Sequence, residues 1–274
     1  MAPGPSKGEA PRCFVLGGQG FIGSAMMREA SRRGYAATAV TRENYKSHTG
    51  TSCDLLINAN GNSRKYLANQ NPALDFDLSV QSVMRSLEDF HTRHYVYISS
   101  IDVYSNVVDP RANSEDVTIE TDRLPPYGLH KYQAEMLVQR YAPSWHVLRT
   151  GGMVGPGLWK NSIHDILKNH PLRVHPNSKY QYLHTQVFAH LTFDLVDRNM
   201  GPLVLNVVGD GLLSPAEAAG WVPQYKLTTL TPDVPMETYH VNQDRLKALC
   251  PVPATGPAVR QFIEDVLAGR EEIA

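Results

Sequence analysis

Short apolar runs alternate along this chain with longer stretches whose apolar residues recur at three- and four-residue intervals. The pattern predicts strands near 12–17, 36–41, 54–59, 94–100, 145–149 and 203–208, and helices near 21–33, 72–91, 126–141 and 186–198. Such alternation implies an α/β fold in which a parallel sheet is built through right-handed crossovers. Only Arg42 to Cys53 separates the second strand from the third, too few residues for a whole helix-plus-strand crossover. Two proline-punctuated segments, 159–182 and 210–274, read as a small irregular lobe, and the polar opening 1–10 as a flexible tail.

Three stretches carry candidate chemistry. Cys13-Phe14-Val15-Leu16 leads into Gly17-Gly18-Gln19-Gly20-Phe21-Ile22-Gly23 and then into a helix. A G-x-x-G-x-x-G turn between strand and helix suits a dinucleotide: one glycine allows the turn, one admits a pyrophosphate, and one lets helix pack on strand. The other reading is a glycine turn without a ligand. Tyr127 and Lys131, spaced i, i+4 after Pro125-Pro126, share one helix face. A lysine ammonium beside a phenol favours the phenolate, and lowering a tyrosine pKa from about 10 to neutrality takes roughly 4 kcal/mol. The alternative is an aromatic and a basic residue on a half-exposed helix. His94-Tyr95-Val96-Tyr97-Ile98-Ser99-Ser100 reads as a strand ending in two hydroxyls, at the kind of place where open α/β sheets bind ligands.

Together these stretches, with Ser100 four residues before Tyr104 and with Leu148-Arg149-Thr150-Gly151-Gly152-Met153-Val154-Gly155-Pro156, resemble the extended short-chain dehydrogenase/reductases, the NAD-dependent epimerase/dehydratase family. Tyr182-Leu183-His184-Thr185, Leu205-Asn206-Val207-Val208-Gly209 and the helix expected from Val241 to Leu249 extend the similarity over nearly the whole chain. The resemblance implies a Rossmann-type doubly wound parallel sheet with an abbreviated region between its second and third strands. It also implies a cofactor-binding domain over 11–158 and 183–209, and a small substrate lobe over 159–182 and 210–274. In such proteins Tyr127 exchanges a proton with a sugar hydroxyl while hydride moves to or from nicotinamide. Lys131 lowers the tyrosine pKa and holds the nicotinamide ribose, and Ser100 hydrogen-bonds the same substrate oxygen. Gly17, Gly20, Phe21, Ile22, Gly23, Thr41, Arg42 and Asn60 fall, with Tyr127 and Lys131, at cofactor-binding positions.

Departures from the family pattern narrow the reading. The second strand ends Ala39-Val40-Thr41-Arg42, without the acid that accepts ribose hydroxyls, and Lys46 follows. Arginine matches a 2′-phosphate, so NADP is expected ahead of NAD; a solvated Arg42 is the other reading. Asp102 stands where dehydratases and decarboxylases carry a glutamate, but Ile101 occupies the place of the aspartate that often precedes it. Asp102 thus keeps carboxylate chemistry open, or caps a turn. Ser79 replaces the usual asparagine, and Asn58-Ala59-Asn60-Gly61 replaces an H-x-A-A strand end. Asn62, Ser63, Arg64 and Lys65 either face a phosphorylated or polyhydroxylated substrate or form a solvated loop.

Composition changes little. The formal charge of −1 gives no electrostatic case for nucleic acid or an anionic membrane, and no apolar run is long enough to span one. Cys13, Cys53 and Cys250 are odd in number and far apart, so no disulfide framework is expected and a reducing cytoplasm fits. The eleven histidines show no ligand spacing, so no metal is expected. The function expected is an NADP- or NAD-dependent reductase or epimerase of a nucleotide-linked or other polar sugar. The alternatives are a dehydratase or decarboxylase using Asp102 and a non-catalytic cofactor-binding scaffold. Family members commonly dimerise through helices corresponding to 72–91 and 126–141, so a homodimer is expected to use Leu74, Leu78, Met84, Leu87, Met136 or Leu137.

Overall fold

The computed structural model describes residues 9–274, so most of the expected 1–10 tail lies outside the described residues. In chain order the elements are β1 (Arg12–Leu16), α1 (Phe21–Arg32), β2 (Ala36–Val40), α2 (Tyr45–His48), β3 (Ser52–Asn58), α3 (Lys65–Gln70), α4 (Pro72–Phe76), α5 (Ser82–Asp89), β4 (His91–Ser100), α6 (Pro126–Tyr141), β5 (Trp145–Thr150), β6 (Gly152–Val154), α7 (Ser162–Leu167), β7 (Tyr182–His184), α8 (Thr185–Asp197), β8 (Leu203–Val207), α9 (Pro215–Ala219), α10 (Asp244–Leu249) and α11 (Thr255–Leu267). Six strands form one sheet in the order β2-β1-β3-β4-β5-β8. Pairing is parallel from β2 through β5, with Leu16 beside Asn58, Asn58 beside Tyr97, and Ser100 beside Thr150. The chain leaves β1 to one side for β2 and returns to its other side for β3, so the strand order reverses at the carboxyl ends of β1 and β3. That is where an open parallel sheet leaves a crevice for a ligand.

Between β2 and β3 there is one helical turn, α2, and no strand. Tyr45 of that turn donates to Asp89 and packs edge-on against Phe90, closing the space with one aromatic side chain. The remaining core of this face is Phe14, Leu56, Val83, Tyr95, Tyr97, Ala134, Val138 and Val147, against which Leu87 and Leu137 also pack. Two of the residues expected at a dimer surface therefore face inward, whereas Leu74 and Met136 are exposed. On the other face, α1 buries Ala25, Met26 and Ala30, and its Arg33 reaches Asp194 and Asp197.

The expected helix over 72–91 is a helical run with a π turn, Asp77–Gln81, between α4 and α5. Single π turns inside helices are frequent at functional sites. Here Ser79 in the turn and Asp75 before it are both buried.

The described chain divides into two compact units. The first holds residues up to 105, 118–150 and 189–205; the second holds 106–117, 151–188 and 206–274. This division departs from the sequence boundaries because β6 and β7 pair with each other in a separate two-stranded sheet. Asn113, fully buried, also bonds within the second unit to Asn106, His240 and Asn242. That unit is less irregular than its prolines suggest. Its α11 buries Val259, Phe262 and Ile263, an i, i+3, i+4 stripe present in the sequence.

In the first unit, His94 and His146 on neighbouring strands stand ring to ring at 4.3 Å. Burial pushes both pKa values down to about 4. The unfolded chain then takes up protons first on acidification, so this contribution is intact above about pH 6.5 and is lost as pH falls toward 4. Denaturant unfolding at pH 5 is expected to show a lower midpoint than at pH 7. Paired His94→Gln and His146→Gln substitutions should flatten that difference; an equal drop in both proteins would assign the acid sensitivity to other groups.

Candidate active site

The glycine turn opens at the crevice beside β1. Gly17 has φ +72°, its N–H donates to Val40, and the turn closes through Gly20 N–H to Gly17 O at 2.8 Å. A Cβ on Gly23 would stand 2.0 Å from Gly17 O, so only glycine lets α1 begin this close to the turn. No side chain caps α1 and no acid lies in its first turn. Its first N–H groups and positive dipole end are therefore open to an anion, as a dinucleotide pyrophosphate requires. Phe21 and Ile22 form that first turn, and Asn60, exposed, follows β3 with its N–H on the Asn58 side chain at 3.0 Å. At the end of β2, Thr41 donates its hydroxyl to Glu43 at 2.6 Å, and the neighbouring Arg42 helps hold the Glu43 carboxyl below its ordinary range. Sequence reading gave no weight to Glu43, an acid beside the basic residue chosen for phosphate recognition.

The second part of the site is assembled where β4 meets α6. Ser100 ends β4 and caps the short 3-10 turn Ile101–Val103. Its hydroxyl donates to Asp102 at 2.9 Å, and Asp102 also pairs with Lys65 at 2.6 Å. Pro126 starts α6, and a Cβ on Gly128 would lie 2.1 Å from the Asp102 carbonyl oxygen. Glycine at 128 thus sets the first turn of α6 directly on the turn that follows Ser100. Tyr127 and Lys131 are both buried on the inner face of α6.

Burial acts on both groups, against the phenolate and against the ammonium. Burial raises the Tyr127 pKa above its ordinary value and the Asp102 charge adds to the rise; Lys65 and the Ser100 hydroxyl pull the other way. Lys131 donates to the Ile98 carbonyl at 3.2 Å and lies 5.1 Å from the centre of the Tyr97 ring. Burial lowers its pKa to about 8 against the opposing charges of Asp75, Glu135 and Asp102. The cation and nicotinium charge expected from the sequence would act on a phenol whose burial already disfavours its charged form.

Two buried pairs support these side chains. Glu135, one turn beyond Lys131, receives Arg149 at 2.7 Å and the Ser99 hydroxyl, while Arg149 also donates to Tyr104 at 2.8 Å. Asp75 pairs with His130 at 2.6 Å and accepts from Asn62 and Ser79. Asn62 is thereby a buried structural residue, and Lys65 is held by Asp102. Sequence reading missed both pairs, although an arginine within the apolar run of β5 signals a buried partner.

The family model for the NAD dependent epimerase/dehydratase family matches residues 13–74 and 51–186, and the chain belongs to that family. No curated protein sequence matches it. Its fold is similar to that of a UDP-galactose 4-epimerase, with TM-score 0.78 and 21% identity over 94% of this chain and 99% of the other. It is also similar to a dTDP-4-dehydrorhamnose reductase from Bacillus anthracis in complex with NADP, with TM-score 0.77 and 13% identity over 95% and 100%. A third similar fold is the UDP-glucose 4-epimerase of Thermus thermophilus in complex with NAD, with TM-score 0.71 and 17% identity over 92% and 98%. At these identities the likeness establishes the fold. No helix among the described residues is long and apolar enough to cross a membrane.

Gly128→Ala is expected to push α6 off the Asp102 turn. Overpacking of this kind costs about 1–3 kcal/mol, so the variant should unfold earlier and lose activity. Unchanged stability and activity would show that α6 can shift without disturbing Tyr127.

Proposed function

We propose that the protein is an NADP(H)-leaning oxidoreductase of a nucleotide-linked or other polar sugar, working as a reductase or epimerase. The observation that supports this reading is the hydrogen bond between Ser100 and Tyr127, with Lys131 buried one turn further along α6, in a sheet whose first strand leads into an uncapped glycine-rich helix start. When bound, the dinucleotide supplies or accepts the hydride. Tyr127, kept protonated by burial, donates its proton to a carbonyl oxygen as that oxygen gains negative charge. Ser100 turns its hydroxyl from Asp102 to the same oxygen and stabilises it. Lys131, with a pKa of about 8 and one turn further along the same face of α6, supplies the cation for the phenolate that emerges. A phenol that starts protonated suits the reduction of a keto sugar, which supports the reductase form of the proposal. Asp102 is engaged by both Ser100 and Lys65, which supports a positioning role over that of a free acid in an elimination.

NADPH or NADH oxidation against nucleotide-linked keto sugars tests the activity. Tyr127→Phe is expected to lower kcat by about 100-fold or more while dinucleotide affinity stays within about twofold. Near-native turnover in that variant would overturn the assignment.

The adenosine end makes a separate test. Arg42 and Lys46 favour a 2′-phosphate, and Glu43, engaged by Thr41, is an acid next to Arg42 in the chain that opposes it. Arg42→Ala should weaken NADPH binding about tenfold, the size of one charge-assisted contact, and leave NADH binding unchanged. Equal effects on both cofactors, or tightly retained NAD in the purified protein, would instead favour an NAD-recycling epimerase.

A further inference from the structure

In the second unit, the end of α7 gathers a set of side chains that the proposed oxidoreductase chemistry does not use. Asn161 caps the start of α7, accepting from Ile163 and His164 N–H groups and donating to Met153. The helix ends in a Schellman turn: Asn169 takes a left-handed φ of +56°, its N–H donates to Ile166, and the His170 N–H donates to Asp165 at 2.7 Å. This turn folds position 170 back over position 165, where helices commonly make an apolar contact. Here the two residues are histidine and aspartate. Tyr225 donates to the His170 carbonyl at 3.0 Å and holds the turn from outside.

His164 completes the group. Its Nε2 lies 3.2 Å from the main-chain oxygen of Ala274, which can only accept, so Nε2 carries the proton and Nδ1 of the neutral ring is a bare lone pair. That Nδ1 is buried with no hydrogen-bond partner. It faces the Asp165 carboxylate at 3.7 Å, and the carboxylate is itself nine-tenths buried. Two acceptors thus face each other beyond hydrogen-bond length, yet closer than two metal–ligand bonds of about 2.0–2.1 Å laid end to end. Ligand atoms of His164, Asp165 and His170 all lie within 4.8 Å of one another. A tetrahedral site with such bonds has edges of about 3.3 Å, so coordination requires the set to close up, with the exposed His170 ring as the part that moves.

We propose that His164, Asp165 and His170 form a binding site for a divalent transition-metal ion such as Zn²⁺, with the fourth position open to solvent. The His164 Nε2–H bond to a main-chain oxygen is the outer contact that fixes the tautomer of metal-binding histidines. Two nitrogens and one carboxylate oxygen are a ligand set that zinc accepts. Arg173 is the nearby cation whose charge opposes the ion. None of His164, Asp165 and His170 is among the residues assigned to the proposed reaction.

The test uses the full chain without an affinity tag, stripped with a chelator and dialysed against Zn²⁺, with bound metal counted by elemental analysis. One Zn²⁺ per chain is expected, together with a visible d–d band on Co²⁺ substitution. His170→Ala, at an exposed position whose turn is held by its backbone, should weaken binding by about tenfold or more and abolish the Co²⁺ band. Asp165→Asn, which keeps the shape and removes the charge, should do the same, with folding checked by circular dichroism. No stoichiometric Zn²⁺ in the unaltered protein, or equal binding in the His170→Ala variant, would overturn the proposal.

Discussion

The placement of the candidate site depends on one buried ion pair. Glu135 is fully buried and Arg149 is 3% exposed, and each is held by the other and by a hydroxyl, Ser99 for Glu135 and Tyr104 for Arg149. Leaving either partner alone in this environment costs about 3–5 kcal/mol. The pair ties three elements together: α6 through Glu135, β5 through Arg149 and the end of β4 through Ser99. Tyr127, Lys131 and Glu135 are spaced by four residues along α6 and therefore lie above one another on one face. Holding Glu135 against the strand ends fixes the other two. Lys131 is thereby brought to the Ile98 carbonyl and Tyr127 to the end of β4.

Close backbone approach makes the same arrangement possible at the helix starts. Gly23 and Gly128 each stand where a Cβ would enter a carbonyl oxygen, the first at the glycine turn after β1 and the second at the turn after Ser100. Both helix N-termini are brought against strand-end turns, one offering N–H groups to an anion and the other presenting a phenol. The single turn of α2 leaves β2 at the sheet edge, with the charges of Arg42, Glu43 and Lys46 following it in the chain.

Charge at the site is organised in two buried or half-buried couples, Asp75 with His130 and Asp102 with Lys65. Asp75 and Asp102 both raise the pKa values of Tyr127 and Lys131, while burial raises the tyrosine and lowers the lysine. Desolvation disfavours the charged form of each group, so the protein by itself favours a neutral phenol and a lysine whose pKa is lowered to about 8.

The sequence by itself determined the strands and main helices of the sheet, the missing outer unit between β2 and β3, and the glycine turn. It also determined that Tyr127 and Lys131 share a helix face. These are local properties, written in apolar periodicity and in spacings of three and four residues. The stripe of α11 was equally local and was hidden only by the surrounding prolines. The tertiary structure alone decided the pairings of Lys65 with Asp102, Asp75 with His130 and Glu135 with Arg149, which join residues from different elements. It also decided the π turn that buries Ser79, the separate sheet of β6 and β7, and the direction in which the Tyr127 pKa moves. Periodicity specifies which face of an element is apolar, whereas ion pairing and desolvation depend on what the whole fold packs against that face.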